Sequence, residues 1–156
     1  MPTKQEIIAA IQEGIERVEQ TFGKLSDEQL DAQVHEGDGG WTGRQILAHL
    51  AGRSGTHQMI FQMAEAPPPQ SSELGGFDVN HWNQKIVDER AGSSKDDLLA
   101  EFRETHEQLL QRVEALPDDG LQQPVTMTRG VMPLGDVLLN SGGKHSVAHA
   151  EEVEQA

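Results

Sequence analysis

Leu134-Gly135-Asp136-Val137-Leu138-Leu139-Asn140-Ser141-Gly142-Gly143-Lys144-His145-Ser146-Val147-Ala148-His149-Ala150-Glu151-Glu152 reads as one helix running to the C-terminus. At 100° per residue, Leu134, Leu138, Ser141, His145, His149 and Glu152 share a narrow arc. Two imidazoles four residues apart therefore lie in register with leucines that must face a core. Gly142-Gly143 weakens the helix just before them, or lets a neighbouring helix come close.

A second stretch carries the same mixture. Trp41-Thr42-Gly43-Arg44-Gln45 opens a helix with Thr42 and Gln45 in capping-box spacing. Its apolar arc holds Ile46, Leu50, Ile60 and Phe61, and His49, Arg53 and His57 project into that arc. Polar groups on a core-facing stripe must be paired or line a cavity, because burying them unpaired costs roughly 1–3 kcal/mol each. Pro67-Pro68-Pro69 ends this helix, and a loop follows through Gly76.

Outward from these two, the chain continues in helical periods. Ile7, Ile11, Ile15, Val18, Phe22 and Leu25 draw one stripe over residues 4–22, with Thr3 and Glu6 as a capping box. Ser26 to Gln29 repeats that signature before a short turn around Leu30, and residues 34–40 form a loop. A third helical region begins at Phe77-Asp78, carries Val79, Trp82 and Ile86, breaks at Gly92-Ser93-Ser94 and restarts from a Ser94–Asp97 cap. Leu99, Phe102, Leu109, Val113 and Leu116 continue the stripe to Pro117-Asp118-Asp119-Gly120. Residues 121–133 read as an extended loop with a hairpin-like turn at Gly130. Four long amphipathic helices without a convincing strand pair predict a single all-α domain over residues 1–156, closed as a four-helix bundle with sites built from inward-facing side chains.

Composition narrows the function. The net charge is −14, with no Lys/Arg cluster, which predicts neither nucleic acid nor an anionic membrane as partner. No apolar run is long enough for a membrane span, and the Met1-Pro2-Thr3-Lys4 start leads into an amphipathic pattern rather than a signal core. A cytoplasmic location is expected. With no cysteine in the chain, any thiol chemistry would have to use a thiol from outside.

Neutral imidazole is a common ligand for zinc, nickel and iron. His145 and His149, on neighbouring turns of one helix, can bind one ion, and His49 from a facing helix completes three ligands. Three protein ligands leave a position open for water or substrate, as in a catalytic rather than a sealed site. The competing reading is three hydrogen-bonded core histidines, since His-x-x-x-His alone recurs by chance.

The stretch Trp41-Thr42-Gly43-Arg44-Gln45-Ile46-Leu47-Ala48-His49-Leu50-Ala51 resembles the second-helix signature of the DinB-like superfamily, and Asn140 through His149-Ala150-Glu151 resembles its closing helix. Phe77 to Asn83 and Leu116 to Asp119 are similar to members as well, so the resemblance spans nearly the whole chain. It implies a DinB-like four-helix bundle with a long crossover connection and a divalent transition metal on His49, His145 and His149. It also implies chemistry on a small molecule, because the superfamily includes thiol-dependent S-transferases and a maleylpyruvate isomerase that use low-molecular-weight thiols. Bundles of this type are often homodimers. In this chain Gly142-Gly143 stands where bulkier residues are usual, and the last helix ends soon after His149.

Other residues are candidates for the substrate pocket. His57 and His106 fall on apolar arcs and could line it or shuttle protons, against the simpler role of satisfied core histidines. Arg53 could bind a substrate carboxylate, or pair with a bundle glutamate. Trp82 and Asn83 shape a pocket mouth, Glu152 could support a ligating histidine from behind, and Met59, Met63, Met127 and Met132 could form a pliable apolar wall. Trp41 reads as a hydrophobic staple, and His35 and His81 have no assigned role. Two functions follow: a metal-dependent enzyme of the S-transferase, isomerase or hydrolase type, or a non-catalytic bundle that binds a small molecule for resistance or self-protection.

Overall fold

A computed structural model of the chain describes residues 1–36, 40–65, 78–127 and 130–156. The helix signals in the sequence are the helices of the fold. Helix α1 (Lys4–Gly23) and the short α2 (Asp27–Leu30) both start from the expected capping boxes, Thr3 with Glu6 and Ser26 with Gln29. Helix α3 (Gly43–Ala51) starts from Thr42 with Gln45. Each box satisfies N–H groups that the first helical turn leaves without intrahelical partners. Helices α4 (Ser54–Glu65), α5 (Val79–Glu89) and α6 (Lys95–Ala115) follow, α6 capped by Ser94, whose side chain accepts from the Asp97 N–H.

Helix α1 packs on α6 and on the final helix, while α3 packs on α6 and, with α4, along the final helix. These four bodies enclose one core. Ile7, Ile11, Phe22, Ile46, Leu47, Leu50, Leu98, Phe102, Leu134 and Leu138 are almost completely buried, each contributing roughly 1.5–3 kcal/mol relative to exposure. Helices α1 and α3 thus face each other across that core, and the connection over 24–42, with α2 in it, is a long crossover.

The structure departs from the sequence reading at three places. The second helix is two helices, broken at Gly52-Arg53. A Cβ on Gly52 would stand 2.3 Å from Ile86 Cγ2, so α5 lies against the chain where it bends. Second, the 121–133 segment holds a real strand pair. Strand β1 (Pro124–Met127) runs antiparallel to β2 (Gly130–Pro133), with Val125 opposite Met132, and Gly130 turns the chain at φ 123°. Four residues a side was too short to register as alternation.

Third, the last helix is not continuous α-helix. Short α7 (Leu134–Val137) passes into a π-helical segment, Leu138–Lys144, before α8 (His145–Gln155). The wider π turn carries extra residues per turn and shifts the face that α8 turns to the core. Within it and in α8, Gly142, Gly143, Ser146 and Ala150 are buried, whereas Ser141, His145 and His149 sit at the core's edge. On α5, Ile86 and Val87 are buried but Val79 is 41% exposed. The expected ending at Pro67-Pro68-Pro69, the loop through Gly76 and the start at Phe77 lie outside the described residues.

Gly143 holds the final helix to α1. A Cβ there would stand 2.5 Å from the Ala10 carbonyl carbon. Gly143→Ala is expected to cost about 1–3 kcal/mol through overpacking against backbone, read as a lower urea midpoint. An unchanged midpoint would show that the two helices can part without cost.

Candidate metal centre

Two elements bring one imidazole cluster together. His49 is the seventh residue past the Thr42 cap, in α3, and His145 and His149 come from successive turns of α8. His145 Nε2 lies 3.2 Å from His49 Nε2 and 3.2 Å from His149 Nε2. One ligand atom from each of the three lies within 4.8 Å of the others. The ring pairs meet edge to face at centroid distances of 4.5 to 5.2 Å. The Thr42 cap fixes where α3 begins ahead of His49, and the π segment leads directly into the turn that carries His145.

Burial, followed by the positive charge of Arg53, pushes the His49 imidazole down to about 3 and the His145 imidazole well below its ordinary value. Both are therefore neutral at pH 7. Burial also lowers His149, against the opposing pull of Glu152. His149 Nδ1 lies 3.0 Å from Glu152 Oε2, and His35 Nε2 lies 2.9 Å from the same oxygen. Burial raises the Glu152 carboxyl, but hydrogen bonds from His35 and His149 outweigh it and the group is lowered overall. An ionised carboxylate only accepts, so His149 Nδ1 carries the proton and its Nε2 lone pair points into the cluster.

The donor set fits a divalent transition metal. Three neutral nitrogens crowd together with too few protons among them to join every contact by hydrogen bonds, and among the described residues Nδ1 of His49 and of His145 has no partner. The two 3.2 Å separations from His145 Nε2 are short enough for both pairs of nitrogens to reach one ion. The same three residues suit zinc, nickel or iron.

Two cavities open beside the cluster. One, about 240 Å³, is lined mainly by apolar groups, among them Met59, Ile60, Met63, Trp82 and Met127, with Arg53, Asn83 and His145 on its wall. The other, about 420 Å³, is bounded by His35, Trp41, Asn80, Asn83, Gln84 and the three clustered histidines. His145 belongs to both, so the cluster stands on their shared wall. The Trp82 indole N–H donates to Thr56 Oγ1 at 3.0 Å, which fixes the ring across the apolar cavity.

The candidates of the sequence divide accordingly. Arg53, Trp82 and Asn83 border the site with His145, and Glu152 stands behind His149. His57 and His106 pair with each other instead, their rings 5.4 Å apart and edge to face. His106 Nδ1 donates to the Phe102 carbonyl at 2.9 Å, its Nε2 lies 3.5 Å from Ser146 Oγ, and His57 lines a separate cleft with Thr105 and Gln108. Arg53 finds no glutamate: its Nη2 donates to the Ser141 carbonyl at 3.2 Å, and among the described residues no carboxylate pairs with it. His35, to which the sequence assigns no role, and Trp41, which it reads as a staple, both border the larger cavity. Trp41 stacks on His35, leans on His49 at 5.1 Å and donates its indole N–H to Gln84 Oε1. Their loop lies 14 residues before His49 for His35, a separation that no helical period records.

Comparison with known proteins places these features. A family model described as the DinB superfamily matches residues 10–153. Among solved structures, YfiT from Bacillus subtilis, described as a probable metal-dependent hydrolase with an unusual four-helix bundle topology, is 21% identical. The match covers 97% of this chain and 84% of that one at a TM-score of 0.74. The colibactin self-resistance protein ClbS, solved in complex with a dsDNA, is 15% identical over 99% of this chain and 96% of its own, with a TM-score of 0.77. A mycothiol-dependent maleylpyruvate isomerase is 14% identical with a TM-score of 0.75, covering 98% of this chain and 61% of its own. A search of curated proteins finds no match. Because one protein of this fold was solved with DNA, the fold does not exclude nucleic acid, and that expectation rests on this chain's charge of −14 alone. No helix among the described residues is long and apolar enough to cross a membrane.

The buried histidines set a pH dependence. His49, His57, His106 and His145 are all held low, chiefly by burial, His106 at about 4. Burial therefore disfavours their protonation in the fold, whereas the unfolded chain takes up these protons freely as the pH falls. Stability of metal-free protein therefore falls as pH drops below about 6.5, by up to roughly 1.4 kcal/mol per pH unit for each histidine. Urea midpoints at pH 7, 6 and 5 measure this; equal midpoints would contradict it.

Proposed function

Since this chain belongs to the DinB superfamily, we propose that it is a metal-dependent enzyme acting on a small electrophilic molecule, by thiol S-transfer, isomerisation or hydrolysis. The observation that carries this reading is the convergence of three neutral imidazole nitrogens on the wall shared by two cavities. His49, His145 and His149 would hold a divalent zinc, nickel or iron ion. A bound ion there supplies Lewis acidity, lowering the pKa of water or of a thiol toward neutrality.

The chain's own residues do the rest. Glu152 fixes the His149 tautomer and orientation, and His35 holds Glu152 in turn. Trp41 presses on His49 and limits the directions that ring can take. Met59, Ile60, Met63 and Met127 keep one cavity apolar, favouring a substrate body over water. The chain contains no cysteine, so the nucleophile is water or a low-molecular-weight thiol from outside.

A second reading has one observation in its favour. Apart from His145, no described residue that lines the apolar cavity is suited to act as a general base. A bundle that sequesters a small molecule without turnover has that same lining, and a relative of this fold, ClbS, is described as a self-resistance protein.

Metal analysis of untagged protein tests the first reading. Stoichiometric zinc, nickel or iron is expected in the wild type and its loss in the His49→Ala, His145→Ala, His149→Ala triple variant. Glu152→Gln is expected to weaken zinc binding by about 10–100-fold. Wild-type protein that carries no metal and binds none at micromolar concentration would remove the enzyme proposal. A binder would keep its ligand in His49→Ala, whereas the enzyme would lose turnover.

A further inference from the structure

Arg53 is the odd group in this site. It stands at the break between α3 and α4, where Gly52 brings the chain close to α5, and is 6% exposed. Of its donors, Nη2 reaches the Ser141 carbonyl at 3.2 Å, while Nε is buried with no partner among the described residues. Among the described residues no Asp or Glu lies within ion-pair distance, although the chain carries 26 of them. Burial lowers the guanidinium only to about 10, so it is charged at pH 7. A dry cation without a counter-ion costs several kcal/mol, and arginine's planar fork matches a carboxylate in two parallel hydrogen bonds.

The surroundings say where that carboxylate would come from. Arg53 borders the apolar cavity of about 240 Å³, together with Asn83 and His145. Thr56, on the same wall, is committed to Trp82. Ser141, which receives the one hydrogen bond, lies in the π-helical segment, so the distortion that places His145 also places the acceptor for Arg53. The cavity thus carries a cation on a wall that is otherwise mostly apolar.

We propose that this cavity binds a small carboxylate with an apolar body, its carboxylate paired with Arg53 and its remainder packed against Met59, Ile60 and Met63 beside the imidazole cluster. The carboxylate supplies the missing counter-ion, and the ligand is thereby oriented with its apolar part held near His145. This deepens the proposed function by naming the ligand class, and it rests on that reading for the cavity's catalytic role. The pairing itself depends on Arg53 and not on a metal.

The test compares acids with their amides. Hexanoate and benzoate are titrated, beside hexanamide and benzamide, into protein as purified and into the metal-stripped protein, where no ion can capture the acid. In the stripped protein each acid is expected to bind at least about tenfold tighter than its amide. Arg53→Met should abolish that preference and Arg53→Lys should retain part of it. Equal binding of acid and amide, no binding of either acid, or a preference that survives in Arg53→Met would each overturn the proposal. If Arg53→Met fails to fold, the wild-type comparison and Arg53→Lys decide. Zinc titration of the same wild-type preparation separates the two readings: absent zinc binding sinks the metal centre and leaves the acid–amide result intact.

Discussion

The approach of Gly143 to the backbone of Ala10 governs the rest of this structure. With no side chain between them, the final helix lies directly on α1, and a Cβ at Gly143 would stand 2.6 Å from both the Ala10 Cβ and its carbonyl oxygen. The π-helical segment spans this contact, from Leu138 to Lys144. It turns Gly142, Gly143 and Ser146 toward α1 and α6, and leaves His145 and His149 on the flank that meets α3. In an uninterrupted α-helix these imidazoles would have followed Leu134 and Leu138 into the core. Their place at its edge, beside two cavities, follows from how closely the two helices pack.

The electrostatics of the site follow from the same burial. Desolvation keeps His49 and His145 neutral, the state in which imidazole binds a metal, and Arg53 nearby adds to the effect. Glu152 works the other way, accepting from His149 and His35 and giving the cluster its one carboxylate. A carboxylate close to a neutral imidazole strengthens its remaining lone pair as a ligand. Behind the cluster, His57 and His106 form a separate buried pair, with Phe102 and Ser146 as the polar partners of His106. The bundle therefore uses its inward histidines in two ways, as a convergent set at the edge and as packed polar groups deeper in.

The parts legible in the sequence were local ones. Thr3, Ser26 and Thr42 each announce a helix because a capping box is a contact across three residues. Ile46, Leu50, Ile60 and Phe61 are buried as their period requires, and His49, Arg53 and His57 share that burial for the same reason. His35 and Trp41 were not legible as site residues. Trp41 was taken for a staple, and what joins it to His35, His49 and Gln84 is contact between three different elements. The β1–β2 pair was visible only as a turn at Gly130, because four-residue strands contain too few alternations to count.

By itself the sequence determined that this is an all-α chain with three histidines on inward faces, since periodicity and capping are properties of single segments. It also named a family whose model spans residues 10–153. The tertiary structure alone decided that Arg53 meets the Ser141 carbonyl instead of a glutamate, that His35 braces Glu152, and that the last helix passes through a π segment. These depend on distances between helices, and such distances are set by the side chains present on both partners at a crossing. No periodic pattern within one helix carries that information.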